Sequence, residues 1–322
     1  MPQHSQISRR LRLRDLHYLM TVVQTGSMAK AATILSVSQP VISKVIADME
    51  HILGERMLDR SPRGVEPTIY GRKLLETSFA VFDELRHGVV EIEHLLDPTA
   101  GELAIGSNEA STLSIVPEAI QLLRAKHPRS FIRVVLANTP EEQRQALARR
   151  DIELTIGRVW PHLPSSEFET EILYDEQYVV VAAPDNPWRN RSLVELSELV
   201  DHPWIVPSFS NLSGQLIAEI FRQKGLELPR GPVRTSSMQL AQHLLEQGSF
   251  VAMLPASALP SLAAMSSLVA LPVPLPDLAS PVGIMRLRTV TPGPIAEAFT
   301  KAARAVTRTM EIRTHGPALP PR

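Results

Sequence analysis

Ser27-Met28-Ala29-Lys30-Ala31-Ala32-Thr33-Ile34-Leu35-Ser36-Val37-Ser38-Gln39-Pro40-Val41-Ile42-Ser43-Lys44-Val45-Ile46, continuing to Leu53-Gly54, decides how this chain reads. It predicts two short helices and a tight turn. Ser27 is placed to cap the first helix, its hydroxyl accepting from a backbone N–H that has no partner within the helix. Ala29, Ala31, Ala32 and Leu35 make that helix slim enough for another to approach closely. Ser36-Val37 is the turn, with Val37 as an apolar plug. Ser38 is placed to cap the second helix, and Pro40 sits in its first turn, where a missing N–H costs nothing. Val41, Val45, Ile46, Met49, Ile52 and Leu53 then form an apolar stripe at helical spacing, ended by Gly54. Gln39, Ser43, Lys44 and Asp48 lie on the other face. They are short or cationic and form hydrogen bonds, as a helix in a DNA major groove must. On these two helices alone, a helical hairpin with a solvated face is an equal reading.

The next residues tip that balance. Leu53 to Arg60, then Ser61-Pro62-Arg63-Gly64-Val65-Glu66-Pro67-Thr68, read as a short hairpin with Arg63 at its tip and Thr68 capping a new helix. With the alanine-rich helix and the Ser-Gln-Pro turn, the first 75 residues resemble the winged helix-turn-helix of LysR-type transcriptional regulators. Two positions depart from the family pattern: Met57-Leu58 replaces the usual Leu-Phe, and Pro67 replaces a Leu before the Thr. Both concern packing of the wing.

Composition agrees with a basic head on an acidic body. Of 33 Lys and Arg and 34 Asp and Glu, residues 1 to 73 hold 11 and 6, and the remainder 22 and 28. Only the head is suited to meet phosphate. There is no cysteine, which excludes a disulfide framework, a thiol nucleophile and a thiolate metal site, and is in keeping with a cytoplasmic protein. Met1 to Gln6 lack the apolar core of a signal peptide. Phe250 to Pro276 is long and uncharged, but Pro255, Pro260, Pro272, Pro274 and Pro276 interrupt it, so it predicts strand, helix and strand in a core rather than a membrane span.

Ahead of the motif, Arg9, Arg10, Arg12 and Arg14 lead into a helix with Leu13, Leu16, Leu19, Met20 and Val23 on one face, ended by Gly26. The arginines suit phosphate contact or a solvated helix start. Ile69 to Leu96 is one long helical pattern, with Leu74, Leu75, Ser78, Phe82, Leu85, Val89, Ile92 and Leu96 recurring every three or four residues. Such a helix spans roughly 42 Å, and its stripe calls for a second copy of the chain. His87 and His94 on it have no third metal ligand beside them, and no metal or cofactor is expected. Asp97 to Gly101 breaks the helix. Beyond it strands and helices alternate: strands at 103–106, 132–137, 152–157, 178–183, 204–206, 250–254 and 282–287, with helices at 113–126, 141–149, 213–225, 238–247 and 295–310. That order predicts an open, mostly parallel α/β sheet.

The resemblance implies a multidomain fold: an N-terminal all-α winged helix-turn-helix (1–68), a linker and dimerisation helix (69–96) and a C-terminal α/β effector-binding body (97–310). That body would be like a periplasmic solute-binding protein, of two subdomains crossed twice by the chain (102–173 with 276–310, and 174–275). Residues 311–322 would form a loose tail. The family's role implies promoter double-stranded DNA, a small-molecule effector, a second copy in a dimer or tetramer, and RNA polymerase as partners. Ser27, Ser38, Gln39, Pro40, Ser43, Lys44 and Arg63 are the expected DNA-binding residues.

In open α/β sheets ligands bind beyond the carboxyl ends of the strands, at helix N-termini. Small polar clusters at such ends nominate Ser107, Asn108, Ser111, Thr139, Ser208, Asn211 and Ser236, with Arg158 as a partner for a ligand carboxylate. Each Ser, Thr or Asn also reads as a simple cap, and Arg158 as a surface ion pair. The set suits a sugar or an organic acid equally. No catalytic residue is expected: Gly-x-Ser-x-Gly, Gly-x-x-x-x-Gly-Lys, Gly-x-Gly-x-x-Gly and His-Glu-x-x-His are all missing, and His243 with Glu246 is too little for a metal. The competing readings are an enzyme built on the body and an architectural DNA binder without a ligand response.

Overall fold

The computed structural model describes residues 10–61, 64–159, 166–209, 211–231, 233–278 and 280–314. The chain divides into two compact units that meet in sequence at Val89 and Val90.

The N-terminal unit packs α1 (Leu13–Thr25), α2 (Met28–Ile34) and α3 (Gln39–Leu53) around one core. Gly26 (φ 64) and Gly54 (φ 78) end α1 and α3 in the left-handed conformation that glycine adopts without penalty. The Ser27 hydroxyl caps α2, accepting the Lys30 N–H at 3.4 Å. Ser38 makes no such bond. The reason is Pro40, which offers no N–H in the first turn, while the N–H groups of Val41 and Ile42 turn to the Ser38 carbonyl. The buried stripe of α3 follows the expected one through Ile46 and Met49, with Val45 and Leu53 packed against the same core, and departs from it only at its start. Ile42, Ile46 and Met49, spaced by four and three, are at most 1% exposed, whereas Val41 is 43% exposed. In α1 the expected Leu16 and Leu19 are buried and Met20 and Val23 pack against the same core, while Val22 joins them and Leu13 stays outside.

The wing is an antiparallel pair, β1 (Leu58–Ser61) and β2 (Gly64–Pro67), in register from Leu58 opposite Pro67. It is tied to the helices at three places. The Glu50 carboxylate accepts the N–H groups of Met57 and Leu58 at 2.8 and 3.3 Å. Val65 N–H donates to the Gly26 carbonyl. Met57 and Leu58, the unusual pair, are buried in the helical core. The next helix, α4 (Ile69–Leu96), is capped by Thr68, whose hydroxyl accepts the Gly71 N–H at 3.1 Å and donates to the Arg56 carbonyl at 2.6 Å. Gly71 is required there, because a Cβ would collide with the Met57 carbonyl. Leu75 and Ser78 of α4 are buried, but Leu85, Val89, Ile92, Leu95 and Leu96 are exposed.

The C-terminal unit holds two five-stranded sheets. The first contains β3 (Ala100–Ser107), β4 (Arg129–Leu136), β5 (Leu154–Arg158), β6 (Phe168–Asp175) and β12 (Pro281–Leu287), in the order β4-β3-β5-β12-β6. The second contains β7 (Tyr178–Ala182), β8 (Trp204–Val206), β9 (Val233–Arg234), β10 (Val251–Pro255) and β11 (Val269–Ala270), in the order β11-β7-β10-β8-β9. The chain crosses between sheets twice, from β6 to β7 and from β11 to β12. Crossing makes the sheets mixed rather than mostly parallel: β12 runs antiparallel to β5 and β6, and β7 antiparallel to β10 and β11. Strand β6 is not expected from the sequence, since its alternation of Glu and Thr with apolar residues makes it only half buried.

The helix expected at 113–126 is two helices, α5 (Glu109–Leu113) and α6 (Ile115–Lys126), broken at Ser114. Next come α7 (Pro140–Ala148), α8 (Leu212–Gln223), α9 (Met238–Glu246), α10 (Leu259–Ser266) and α11 (Pro294–Thr314). Helix α11 passes the expected start of the tail, and 315–322 lie outside the described residues. Phe250 to Pro276 is a strand, a helix and a short strand, and no described helix is long and apolar enough to cross a membrane.

Candidate functional site

Each unit presents one candidate surface. On the first, the start of α3 stands clear of the core. Ser38, Gln39, Pro40, Val41 and Lys44 are exposed on one side, while Ile42 and Ile46 anchor the other. Gln39 carries an amide able to pair bidentately with an adenine edge, Lys44 is a cation for a guanine edge or phosphate, and Val41 offers apolar contact to a thymine methyl. Sequence reasoning misses Val41 because it assigns Val41 rather than Ile42 to the buried stripe. Ser43 is half-buried and donates to the Met28 Sδ at 3.3 Å, so part of its hydrogen-bonding capacity is spent inside. Ser27 is spent as a cap. Arg63 and Arg9 lie outside the described residues. Arg10, Arg12 and Arg14 are exposed and, with Asp15, line a groove against Val45, Asp48, Met49, His51 and Ile52 of α3.

The second surface is a cleft in the C-terminal unit, walled by residues of both sheets. From the first sheet come Asn108 and Glu109 after β3, Asn138 after β4, Gln143 of α7 and Arg158 at the end of β5. From the second come Tyr178 of β7, Asn211 to Ser213 at the start of α8, Thr235 to Met238 at the start of α9, and Met253 to Pro255 of β10. The cleft is narrow, with a cavity volume of about 80 Å³, against roughly 300–1,000 Å³ for an ordinary small-molecule site.

The walls are fixed by their own hydrogen bonds. The Asn108 side chain caps α5, accepting from Ser111 N–H at 3.1 Å. The Asn211 side chain caps α8 through Gly214 N–H at 2.8 Å, and its amide donates to the Ser236 Oγ at 3.1 Å. Arg158 donates to Ser280 Oγ, and its guanidinium lies 5.1 Å above the Tyr178 ring. No Asp or Glu among the described residues forms an ion pair with Arg158. The Tyr178 hydroxyl donates to Ser213 Oγ at 3.0 Å. Burial pushes the Tyr178 phenol up, and the Arg158 charge pulls the other way. At the crossing from β6 to β7, the buried Glu176 carboxylate accepts from the Tyr174 hydroxyl at 2.8 Å and from Ser257 N–H at 3.1 Å. Burial and the Glu176 charge together push the Tyr174 phenol up.

Asn108, Arg158, Asn211 and Ser236 therefore come together in the cleft wall. Ser107, Ser111, Thr139 and Ser208 are not among its lining residues. Ser107 and Ser111 are buried, with the Ser107 hydroxyl donating to the Ile156 carbonyl at 3.0 Å, and Thr139 caps α7. Sequence reasoning misses Glu109, Gln143, Tyr178 and Met238, while Asn138, beside Thr139 at the same strand end, is a weaker candidate that the strand-end rule does offer.

Comparison with known proteins matches residues 13–72 to the bacterial regulatory helix-turn-helix protein, lysR family, and residues 97–308 to the LysR substrate binding domain. The chain is 26% identical over 285 residues to the uncharacterized HTH-type transcriptional regulator YdcI of Escherichia coli (88% of this chain, 92% of that protein). It is 25% identical over 309 residues to the HTH-type transcriptional regulator GbpR of Azospirillum brasilense (96% and 90%). Among solved structures, a full-length OxyR variant from Pseudomonas aeruginosa aligns with a TM-score of 0.63 at 22% identity (92% and 95%). Full-length CbnR complexed with its target DNA aligns at 0.53 and 22% (92% and 100%), and at these identities both speak for the fold alone. The helix-turn-helix head and the two-sheet body thus both carry the family's own patterns, and the chain belongs to the LysR-type family of DNA-binding transcriptional regulators, with an effector-binding C-terminal domain.

Proposed function

We propose that this regulator reads promoter DNA as a homodimer through the start of α3, and that its DNA binding responds to a small organic acid held at Arg158 in the cleft. The observation that carries the DNA half is the exposure of Gln39, Val41 and Lys44 on one side of a helix whose other side is locked by Ile42, Ile46 and Met49. A helix held this way offers side chains to a major groove without loss of its own packing. Gln39 and Val41 would read base edges, Lys44 a base or phosphate, and Ser38, Pro40 and Ser43 set the approach of the helix. Ser27 supports the turn beneath them, and Arg63 would serve the wing. The arginines before α1 add phosphate contacts.

Gln39→Ala is expected to cost about 1–3 kcal/mol on the operator and little on unrelated duplex. Lys44→Ala should weaken both and lower the slope of log affinity against log salt by about one. Titration of operator and scrambled duplex at several salt concentrations checks both. Equal losses on the two duplexes for Gln39→Ala would remove it from base reading.

For the effector half, a guanidinium in a cleft wall without a carboxylate partner favours an acid over a sugar, since an Arg–carboxylate pair is bidentate and charge-assisted. Asn108, Asn211 and Ser236 would then meet the ligand's hydroxyl or carbonyl groups. A ligand that binds the folded body at about 100 times its Kd adds about 2.7 kcal/mol of stability. In a thermal-shift screen of organic acids and sugars, acids are expected to raise Tm, and Arg158→Leu to abolish the rise. A response that survives Arg158→Leu would place the ligand elsewhere, and no response from any compound would favour an architectural role. Ligand-driven change in DNA binding then requires different affinity for two states of the body.

A further inference from the structure

The acidic side chain in the cleft wall, Glu109, reaches from one half of the body to the other. It opens α5 directly after β3, and its backbone N–H is held by the Asn138 Oδ1 at 3.0 Å, so its position is set by the first sheet. Its carboxylate accepts the Met238 N–H at 2.6 Å, and Met238 is the first residue of the nine-residue helix α9, which belongs to the second sheet. The neighbouring N–H groups at that helix start are already taken: Ser237 N–H by Thr235 Oγ1 at 3.0 Å and Leu240 N–H by Ser237 Oγ at 3.2 Å.

A second bond crosses nearby at the other end of α5. The Ser261 hydroxyl of α10 donates to the Leu113 carbonyl, and the Leu113 side chain packs on the core between β10 and α10. Helix α5 is thus fastened to the second half at both ends, beside a narrow cleft.

We propose that Glu109 is a latch: its carboxylate fills, from within the chain, the anion position at the start of α9 and holds the two halves of the body closed before any effector arrives. Fixed negative charge at a helix start is favourable through the helix dipole, and here it also takes the Met238 N–H, which Thr235 and Ser237 leave to it. Among the described residues that line the cleft, Arg158 is the cation without a carboxylate partner, so a second acidic group on a ligand has to displace Glu109 to reach the start of α9. The inference rests on the cleft geometry and needs no effector, so its failure is separate from failure of the effector reading.

The chain contains no cysteine, which makes a distance measurement clean. Gln145→Cys in α7 and His243→Cys in α9, both on the outer faces of their helices, place one spin label on each half of the full chain. The labelled parent should give one narrow distance distribution. Glu109→Ala should move and broaden it, and Glu109→Gln, which keeps an acceptor but no charge, should fall between. Acetate is the rescue probe: it should narrow the distribution of Glu109→Ala and leave that of the parent unchanged. Distributions for Glu109→Ala and Glu109→Gln that superimpose on the parent, with circular dichroism unchanged, overturn the latch. A disturbed distribution in Glu109→Ala that acetate does not narrow overturns the anion-position assignment. If Glu109→Ala fails to fold, the comparison of Glu109→Gln with the parent decides.

Discussion

Val89→Glu combined with Ile92→Glu is expected to convert the regulator to a monomer and to lower operator affinity by roughly two to four orders of magnitude. Helix α4 is 28 residues long, and its two ends are unequal. Near its start Leu75 and Ser78 are buried in the helical core, the Ser78 hydroxyl bonding back to the Leu74 carbonyl at 2.7 Å. Further along, Leu85, Val89 and Ile92 are 48, 54 and 60% exposed, at spacings of four and three. A stripe with that period faces one direction, and water is a poor partner for it. The same stripe on a second chain is the natural cover, as in a coiled coil. Two carboxylates on each helix would bring like charges together at the seam and remove two branched apolar side chains. A single winged head then holds one half-site, and the effective concentration that the partner supplies is lost. Analytical ultracentrifugation together with operator titration checks this. A double variant that sediments as the parent does would remove α4 from the dimer seam, and a monomer that still binds operator as tightly would separate dimerisation from DNA affinity.

The two halves of the chain are not equally legible. In the head, the signals are local: Ser27 and Thr68 are caps whose partners lie three residues away, and Gly26 and Gly54 stop helices by their own backbone freedom. Local signals survive without knowledge of the fold. Even there, the first position of the α3 stripe reads one residue out, because Val41 and Ile42 are both β-branched and only the packing partner decides which turns inward. In the body, alternation places most strands and helices, but not the antiparallel pairing of β12, since that depends on a chain crossing more than 100 residues after β5. The cleft follows the same rule. Asn108, Arg158 and Asn211 sit at strand ends, where a general rule looks for ligands. Glu109 and Tyr178 matter through partners far away in sequence, Met238 and Ser213, which no spacing announces. Ser107 and Thr139 show the converse: small polar residues at strand ends whose hydroxyls are spent on the backbone.

Trp204→Ala is expected to cost the body about 3–5 kcal/mol from the lost ring and the space it leaves. Trp204 is wholly buried in the second sheet's core, its ring edge-on to Phe221 with centroids 5.3 Å apart. Around it pack Tyr178, Val194, Leu199, Ile217 and Met253 of the same core. Its indole N–H donates to the Leu199 carbonyl at 2.6 Å, so truncation also strands a buried acceptor, a further cost of about 1–3 kcal/mol. Against a total of about 5–15 kcal/mol for a typical domain, that is enough to unfold the second half of the body at moderate temperature. The functional consequence follows from position. Strand β8 runs directly into the segment that carries Asn211 and Ser213 into the cleft, so the effector response should vanish with the core. The helix-turn-helix head is a compact unit by itself and keeps its fold, leaving DNA binding without control. Trp204→Phe retains much of the apolar area but strands the same Leu199 carbonyl, for a loss of about 1–3 kcal/mol. Urea unfolding followed by far-UV circular dichroism, with hydrogen exchange to assign the transition to β7, β8 and β10, measures both variants. A loss below about 1 kcal/mol for Trp204→Ala would mean that the core around it closes over the gap, contrary to the dense packing on every side of the ring.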